Sequence, residues 1–447
     1  MQKVLIVSPH FPPVNAADLH RVRLALPYLR DHGWEPTVLA VAPDSVEGAV
    51  IDEVLLRTYP ADIRVIRVKG LSVRYTRWAG IGSLWWRCGW ALRTAGEKLL
   101  GAEQFDLVFF STTQFDAFTL GPRWRRKFGV PYVLDYQDPW INDYYRDNHA
   151  RPPGGALKYW FAQRNARRHE PAVLRSASAI IAVSSSYGPM LQQHYPWFSA
   201  AKVVTLPFGT SSLDLEIARD HRVKSSLVPF GDGHVHHVYA GRCGPDMTTA
   251  MTALLRGFRL FLKSHPDEAA RHRFHFIGTD YAPPPLGREW AVPVAVQENV
   301  RPYVFEHRYR VPYFDALHYL TQADALVVVG SNDPTYSPSK IFPYLLARRP
   351  LVAIVHERSL LVAVARADHV ATCFTFNQTT EIDNLARHVH DEWFVAGRYR
   401  DPHQASGNLL REHGAAAMTA RLVAEFDAAR ADGKVRPPDV SNEVQHE

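Results

Sequence analysis

Short apolar runs and helical repeats alternate along this chain. Lys3–Ser8 is an uninterrupted apolar run of the kind that forms a strand covered on both faces. Asp18–His32 follows, with Leu19, Val22, Leu26 and Leu29 at helical spacing and Gly33 as a stop. Further strands are predicted at Pro36–Val41, Ile63–Val68, Leu107–Ser111, Tyr132–Asp135, Ile180–Ser184 and Val203–Leu206, most of them separated by helical stretches. After a polar stretch near 213–233 the pattern restarts. His236–Gly241, Phe274–Gly278, Ala325–Gly330, Leu351–Val355 and Ala371–Phe376 read as strands, and Met247–Ser264 and Tyr313–Gln322 as helices. Such alternation predicts an α/β protein of two doubly wound, mostly parallel, Rossmann-like sheets. The predicted organisation is a first domain over 1–212, a linker over 213–233, a second domain over 234–404, a C-terminal helix over 405–430 near the domain junction, and a disordered tail over 431–447. A cleft between the two domains is the expected ligand site.

Composition narrows the function classes. With 447 residues and 46% hydrophobic content, the chain can bury two large cores. A net charge of +6 suits an anionic ligand or an anionic membrane surface, and no nucleic-acid-binding signature accompanies it. Cys88, Cys243 and Cys373 are far apart and odd in number, which argues against a disulfide framework and for a reducing, cytoplasmic setting. The N-terminal apolar run is too short for a signal peptide, and no run reaches the roughly 18 residues of a spanning helix, so a soluble or peripheral protein is expected. His234-Val235-His236-His237 is the densest group among 22 histidines, but no metal-ligand spacing supports it and no metal is expected.

The most informative stretch follows the run Ala325–Gly330. There a polar loop, Ser331–Tyr336, leads to a helix opening behind Ser337-Pro338-Ser339-Lys340. A helix start past the carboxyl end of a parallel strand offers N–H groups and partial positive charge to a phosphate. Taken alone, the same stretch also reads as an ordinary strand-to-helix turn with a serine cap.

Four segments together resemble group 1 glycosyltransferases, the family 4-like enzymes of the GT-B fold. They are Val4–Pro13 with Arg21 and Leu29–Trp34 downstream; Gly129–Trp140, with Gln137 where arginine is usual; Ala182-Val183-Ser184 followed by Leu206-Pro207-Phe208-Gly209; and Tyr239-Ala240-Gly241-Arg242 with the Ser-Pro-Ser-Lys loop and Ala347-Arg348-Arg349-Pro350. The resemblance spans roughly residues 3–425. It implies a retaining, metal-independent hexosyltransferase that moves a sugar from a nucleotide-sugar co-substrate, held by the second domain, to a glycan or lipid-linked acceptor held by the first. It implies no cofactor, and a role in surface polysaccharide or glycoconjugate synthesis, at the cytoplasmic face of the inner membrane where the enzyme is peripheral. A degenerate, non-catalytic nucleotide-sugar-binding subunit is the alternative.

On the donor side, Gly241 and Arg242 occupy the family's diphosphate position, where a guanidinium fork suits paired phosphate oxygens. The plain alternative is a surface arginine after a strand. Thr248 stands where the family usually has a lysine, and Thr335 and Pro343 where it has a glutamate pair. Lys340, with Ser337 and Ser339, is expected to supply the missing charge, and Pro343 requires a helix that starts near Lys340. On the acceptor side, Asp138 is preferred over Asp135 as the group that accepts a proton or bonds a sugar hydroxyl, with Trp140 as a sugar platform. Asp135 reads equally as a cap. Asn15, His20 and Arg21 are expected near the acceptor, Arg21 facing either an anionic acceptor or solvent. Residues 71–98, with Trp78, Trp85, Trp86 and Trp90, and residues 123–127 combine aromatic and basic side chains suited to an anionic membrane surface. A core-packing helix with a solvated basic edge would look the same.

Overall fold

The computed structural model describes residues 1–76, 82–141, 143, 146, 155–221, 223, 226–282, 284–333, 341–368, 370–402 and 411–435. It divides into two compact units, Met1–Gly209 with Ala415–Glu447, and Thr210–Gly414.

The first unit's strands are β1 (Gln2–Val7), β2 (Val14–Asn15), β3 (Trp34–Val41), β4 (Val50–Ile51), β5 (Arg64–Val68), β6 (Leu107–Ser111), β7 (Tyr132–Tyr136), β8 (Ala179–Ala182) and β9 (Val203–Thr205). Seven of them form a parallel sheet in the order β5-β3-β1-β6-β7-β8-β9, while β2 and β4 make a small antiparallel pair. The central strands β6 and β7 are buried along their whole length, as their largely apolar runs require, with Ser111 and Asp135 the polar residues at their carboxyl ends. The helices of this unit include α1 (His20–Ala25), α2 (Leu84–Ala102), α3 (Leu120–Phe128) and α4 (Ala156–Ser176). Leu92 of α2, Trp124 of α3 and Leu174 of α4 share one core with Leu5, Phe110 and Leu134 of the sheet.

The opposite face of that sheet is covered by α1 and by the C-terminal helix, Ala415–Val435. Phe426 places its ring centroid 5.0 Å from Phe109 and 5.4 Å from Trp34, at edge-on angles favoured by aromatic pairs. The C-terminal helix therefore belongs to the first unit's core and runs past residue 430; its expected start at 405–410 and the tail from 436 lie outside the described residues. The expected helix over 18–32 is broken instead. Helix α1 ends at Ala25, because Pro27 has no N–H to continue it, and the chain closes through a left-handed Gly33 with φ of 82°.

The second unit holds β10 (Val235–Ala240), β11 (His272–Ile277), β12 (Val304–His307), β13 (Ala325–Val329), β14 (Leu351–His356) and β15 (Thr372–Phe376), all parallel, in the order β12-β11-β10-β13-β14-β15. Its helices include α5 (Ser212–Asp220), α6 (Thr248–Ser264), α7 (Ala291–Gln297), α8 (Tyr313–Gln322) and α9 (Ile341–Ala347). The stretch 213–233 begins inside a helix. It carries most of α5, which buries Ile217 and Ala218, packs on α8, and accepts a 2.8 Å hydrogen bond from Tyr313 Oη at Asp214. Strand β12 was hidden in the sequence by Glu306, whose carboxylate accepts the N–H groups of Trp290, Ala291 and Val292 at the start of α7.

In each sheet the strand order reverses once, between β1 and β6 in the first unit and between β10 and β13 in the second. Crevices past the carboxyl ends of strands at such reversals are where open α/β sheets bind ligands.

Candidate active site

At the first unit's reversal, the chain leaves β1 through His10 and leaves β6 through Thr112 and Thr113. Asp18, just ahead of α1, is buried between these loops. Its carboxylate accepts from Thr112 Oγ1 at 3.0 Å, Thr113 N at 3.0 Å and Thr113 Oγ1 at 3.1 Å, and it sits 2.9 Å from His10 Nδ1. Burial opposes the charge on Asp18, but His10 and the hydrogen bonds from Thr113 and Thr112 outweigh it and hold the carboxyl at about 2. Burial likewise opposes a charge on His10, and Asp18 outweighs it, so the imidazole is raised above its usual value. With Nδ1 committed to Asp18, the ring has Nε2 left to meet a ligand.

A second network lies beside the first. Asp135, at the end of β7, is fully buried, and its Oδ2 accepts from Arg21 Nε at 3.1 Å, Ser111 Oγ at 2.8 Å and Gln137 Nε2 at 2.8 Å. Gln137 also donates to the carbonyl of Asp18, which ties the two networks together. The rest of the Arg21 fork donates to the carbonyls of Pro207 and Leu206, and its guanidinium lies 5.1 Å from the Phe208 ring. Arg21 is therefore buried and bonded to protein groups rather than turned to solvent. Together Arg21 and Asp135 join α1, β7 and the 206–208 loop in a geometry suited to positioning. Asp138 is exposed on the same carboxyl edge, and Asn15 is half-buried in β2. His20 Nδ1 accepts from Arg23 Nε at 3.0 Å. The Trp140 ring is buried, stacked on Phe115 at 6.1 Å and edge-on to Phe118 at 5.9 Å, so its faces belong to the core.

At the second unit's reversal, Gly241 N donates to the carbonyl of Ile277, extending the β10–β11 ladder by one bond past the strand. Arg242 follows, with its fork paired to Asp246 (Nη1–Oδ1 3.1 Å, Nη2–Oδ2 2.9 Å). Burial opposes the charge on Asp246, but Arg242 and Ser331 outweigh it and lower its carboxyl below the usual value. Ser331 comes from the loop after β13, and the backbone N–H of Asn332 donates to the carbonyl of Asp246 at 2.7 Å, so residues from both sides of the reversal converge. A Cβ at Gly244 would approach Asp246 Oδ1 to 2.5 Å, so a side chain there would displace the carboxylate that holds Arg242. The 17-residue helix α6 opens at Thr248, and α9 begins at Ile341 with Pro343 in its first turn, where a missing N–H costs nothing. Ser337, Ser339 and Lys340, like Thr335, lie outside the described residues.

Residues 20–209 match the family model described as a glycosyl transferase 4-like domain. The first unit carries a glycosyl transferase 4-like domain. On that match the chain is a glycosyltransferase. Among curated proteins no sequence match is found. Among solved structures, a glycosyltransferase from Rickettsia africae is similar at a TM-score of 0.58 and 11% identity over 96% of this chain and 98% of that one. Anabaena HepE, solved with UDP and glucose, is similar at 0.58 and 15% over 96% and 100%. An α,α-trehalose 6-phosphate synthase from Burkholderia multivorans is similar at 0.61 and 12% over 97% and 100%. Identities this low speak to the fold, which is GT-B.

In this glycosyltransferase, sequence reasoning passed over the His10–Asp18 pair and its threonines. The signal was present: a histidine and an aspartate on the loop after the first strand, with adjacent hydroxyls after β6. The densest histidines lie elsewhere, at the start of β10 and β11, where His237 and His272 stack at a 5.0 Å centroid distance inside the core. Among the described residues, no group of three or more His, Cys, Asp or Glu could hold a metal ion. No helix is long and apolar enough to cross a membrane, again among the described residues. The basic-aromatic segments are split by the fold. Arg87 is buried and donates to the carbonyls of Ser45 and Leu71, Trp124 is fully buried, and Arg93, Arg123 and Lys127 converge on Glu97. Trp86 and Trp90 face outward, and Trp78 lies outside the described residues.

Proposed function

We propose that this glycosyltransferase moves a sugar from a nucleotide-sugar donor to a hydroxyl of a glycan or lipid-linked acceptor, without a metal ion and with retention of anomeric configuration, in surface polysaccharide or glycoconjugate synthesis. The observation that carries the donor assignment is the Arg242–Asp246 fork at the β10/β13 reversal, beside the start of α6. A bidentate guanidinium held ready by a carboxylate can exchange that partner for paired phosphate oxygens. The N–H groups of the α6 terminus add partial positive charge on the same edge. Lys340 and N–H groups near Ser339 are proposed as the second half of this clamp. The solved Anabaena relative with bound UDP and glucose supports a nucleotide-sugar as the donor.

In the proposed step the bond from the anomeric carbon to the leaving diphosphate oxygen breaks as the acceptor oxygen bonds to that carbon on the same face. The acceptor proton passes to the departing phosphate, and the cations stabilise the charge that develops there. His10 orients the acceptor hydroxyl through Nε2, and Asp138 is the second group offered on that edge. A thermal-shift panel of nucleotide-sugars tests the donor assignment, because a ligand bound only by the native state raises the melting temperature. At least one donor is expected to raise it and to release nucleoside diphosphate on incubation; a panel with no shift and no release overturns the reading. NMR of the product tests retention, and an inverted linkage would contradict it.

A further inference from the structure

We propose that the first unit docks on an anionic lipid bilayer through the opening turns of α2 and α4. The assignment rests on the glycosyl-transfer reading only for its purpose, the capture of a lipid-linked acceptor. Helices α2 and α4 each lead directly into a strand of the parallel sheet, β6 and β8 respectively. Their first turns therefore lie at the carboxyl edge, the edge that carries His10, Thr113 and Asp138. Helix α3 separates them, packed on both.

The inward sides of these helices are accounted for, and their outward sides are not. Trp86 and Trp90 lie four residues apart on α2, and Leu157, Trp160 and Phe161 occupy a three-four spacing on α4, so each set forms one stripe. These five side chains are between 53% and 77% exposed. Single exposed apolar residues are ordinary, but two stripes of the largest types within two helical turns each mark a contact surface.

The surrounding charge selects the partner. The exposed charged residues of α4 are Lys158, Arg164, Arg167, Arg168 and Arg175, of which Arg167 pairs with Asp143, and the helix's one acid, Glu170, is buried. The Arg164 guanidinium lies 5.6 Å from the Trp160 ring, an amphipathic pairing suited to the headgroup level of a bilayer. Two helix-packing distances of about 10 Å put the stripes on the order of 20 Å apart. A broad anionic plane reaches both at once, whereas one helix or loop of a protein partner covers a single stripe. The bilayer surface thus shifts away from residues 123–127, where Trp124 is in the core and Arg123 and Lys127 pair with Glu97, and onto the start of α4.

The full chain is tested by co-sedimentation with phosphatidylcholine vesicles, with and without phosphatidylglycerol. The wild type is expected to sediment with the anionic vesicles and to be released by salt. W160E/F161E and W86E/W90E are each expected to lower the bound fraction about tenfold, since each removes two inserting aromatic side chains, while nucleotide-sugar binding persists. Brominated lipid in the vesicles should quench wild-type tryptophan fluorescence, a readout that needs no variant. The proposal is overturned if the wild type stays in the supernatant at low salt, if both double variants sediment like the wild type, or if the stripes instead hold a dimer that the variants dissociate. A wild type that ignores vesicles but still transfers to a soluble acceptor removes the surface and leaves the function. One that binds vesicles but no nucleotide-sugar does the reverse.

Discussion

In the first unit, the carboxyl edge between β1 and β6 keeps two carboxylates, Asp18 and Asp135, out of water and supplies each with at least three hydrogen-bond or ionic partners. In the second unit, the matching edge between β10 and β13 keeps one guanidinium, Arg242, about a quarter exposed and paired with Asp246. The strand order is the same apart from the extra edge strand β9 in the first sheet, and the use of charge is opposite. A buried carboxylate held by several donors cannot trade partners without a large desolvation penalty, so it fixes geometry. A partly solvated fork can trade them, so it is the element that meets an incoming anion. The difference fits a first unit that positions hydroxyls and a second that neutralises phosphate.

Removing the fixed half should do the most damage. Arg21→Met leaves Asp135 buried without its cation and should cost about 3–5 kcal/mol of stability. Urea unfolding measures it, and a loss below about 1 kcal/mol would mean that the Arg21–Asp135 pair does not organise this edge. His10→Ala should cost about 1–3 kcal/mol of stability, because buried Asp18 loses its charged partner, and should lower kcat of the protein that remains folded about a hundredfold, roughly 2.7 kcal/mol of barrier, through lost orientation of the acceptor. A change confined to KM would place His10 in binding alone. Arg242→Ala should weaken nucleotide-sugar affinity about ten- to a hundredfold, the range of a charge-assisted contact worth about 1.5–3 kcal/mol, with stability of the first unit unaffected. Titration calorimetry decides this, and equal affinity would remove Arg242 from the donor site.

The two units should also respond oppositely to pH, by up to about 1.4 kcal/mol per pH unit for each group. In the first unit, burial raises Glu170 to about 7, against an unfolded value of 4.5. The folded state thus holds the extra proton between those values, and stability falls as pH rises through that window. In the second unit, burial lowers His272 to about 4 and His275 to about 3, from 6.5. There the unfolded state takes up protons first, so stability falls as pH drops below about 6.5. Hydrogen exchange resolved by unit, between pH 5 and 7.5, should show the second unit opening first in acid. Parallel slopes would break the contrast.

Much of the fold could be read from the sequence because parallel strands buried on both faces are continuous apolar runs. The runs ending at Val7, Ser111 and Val329 were found within a residue or two. Legibility failed where polar groups serve local structure. Glu306 caps a helix from within β12, Asp214 bonds Tyr313 from within a stretch that looked like a linker, and Pro27 interrupts an otherwise helical repeat. The carboxyl-edge position of Arg242 followed from local pattern, since a strand ends immediately before it. The partners of Asp135 did not. Arg21 lies 114 residues away and Ser111 lies 24 away, and no spacing rule joins them before the sheet is assembled. Trp140 and Trp124 were misread for a related reason: an aromatic beside charged residues is written the same way whether its ring faces a ligand or the core.

Hydrogen exchange of the full chain at saturating nucleotide-sugar is the most direct measurement of where the donor sits. The backbone N–H groups of Gly241–Gly244 and the first turn of α6 should gain protection, while the loops carrying His10 and Thr113 change less until an acceptor is added. Protection confined to those first-unit loops, or absent from both edges, would contradict the assignment of the diphosphate to Arg242.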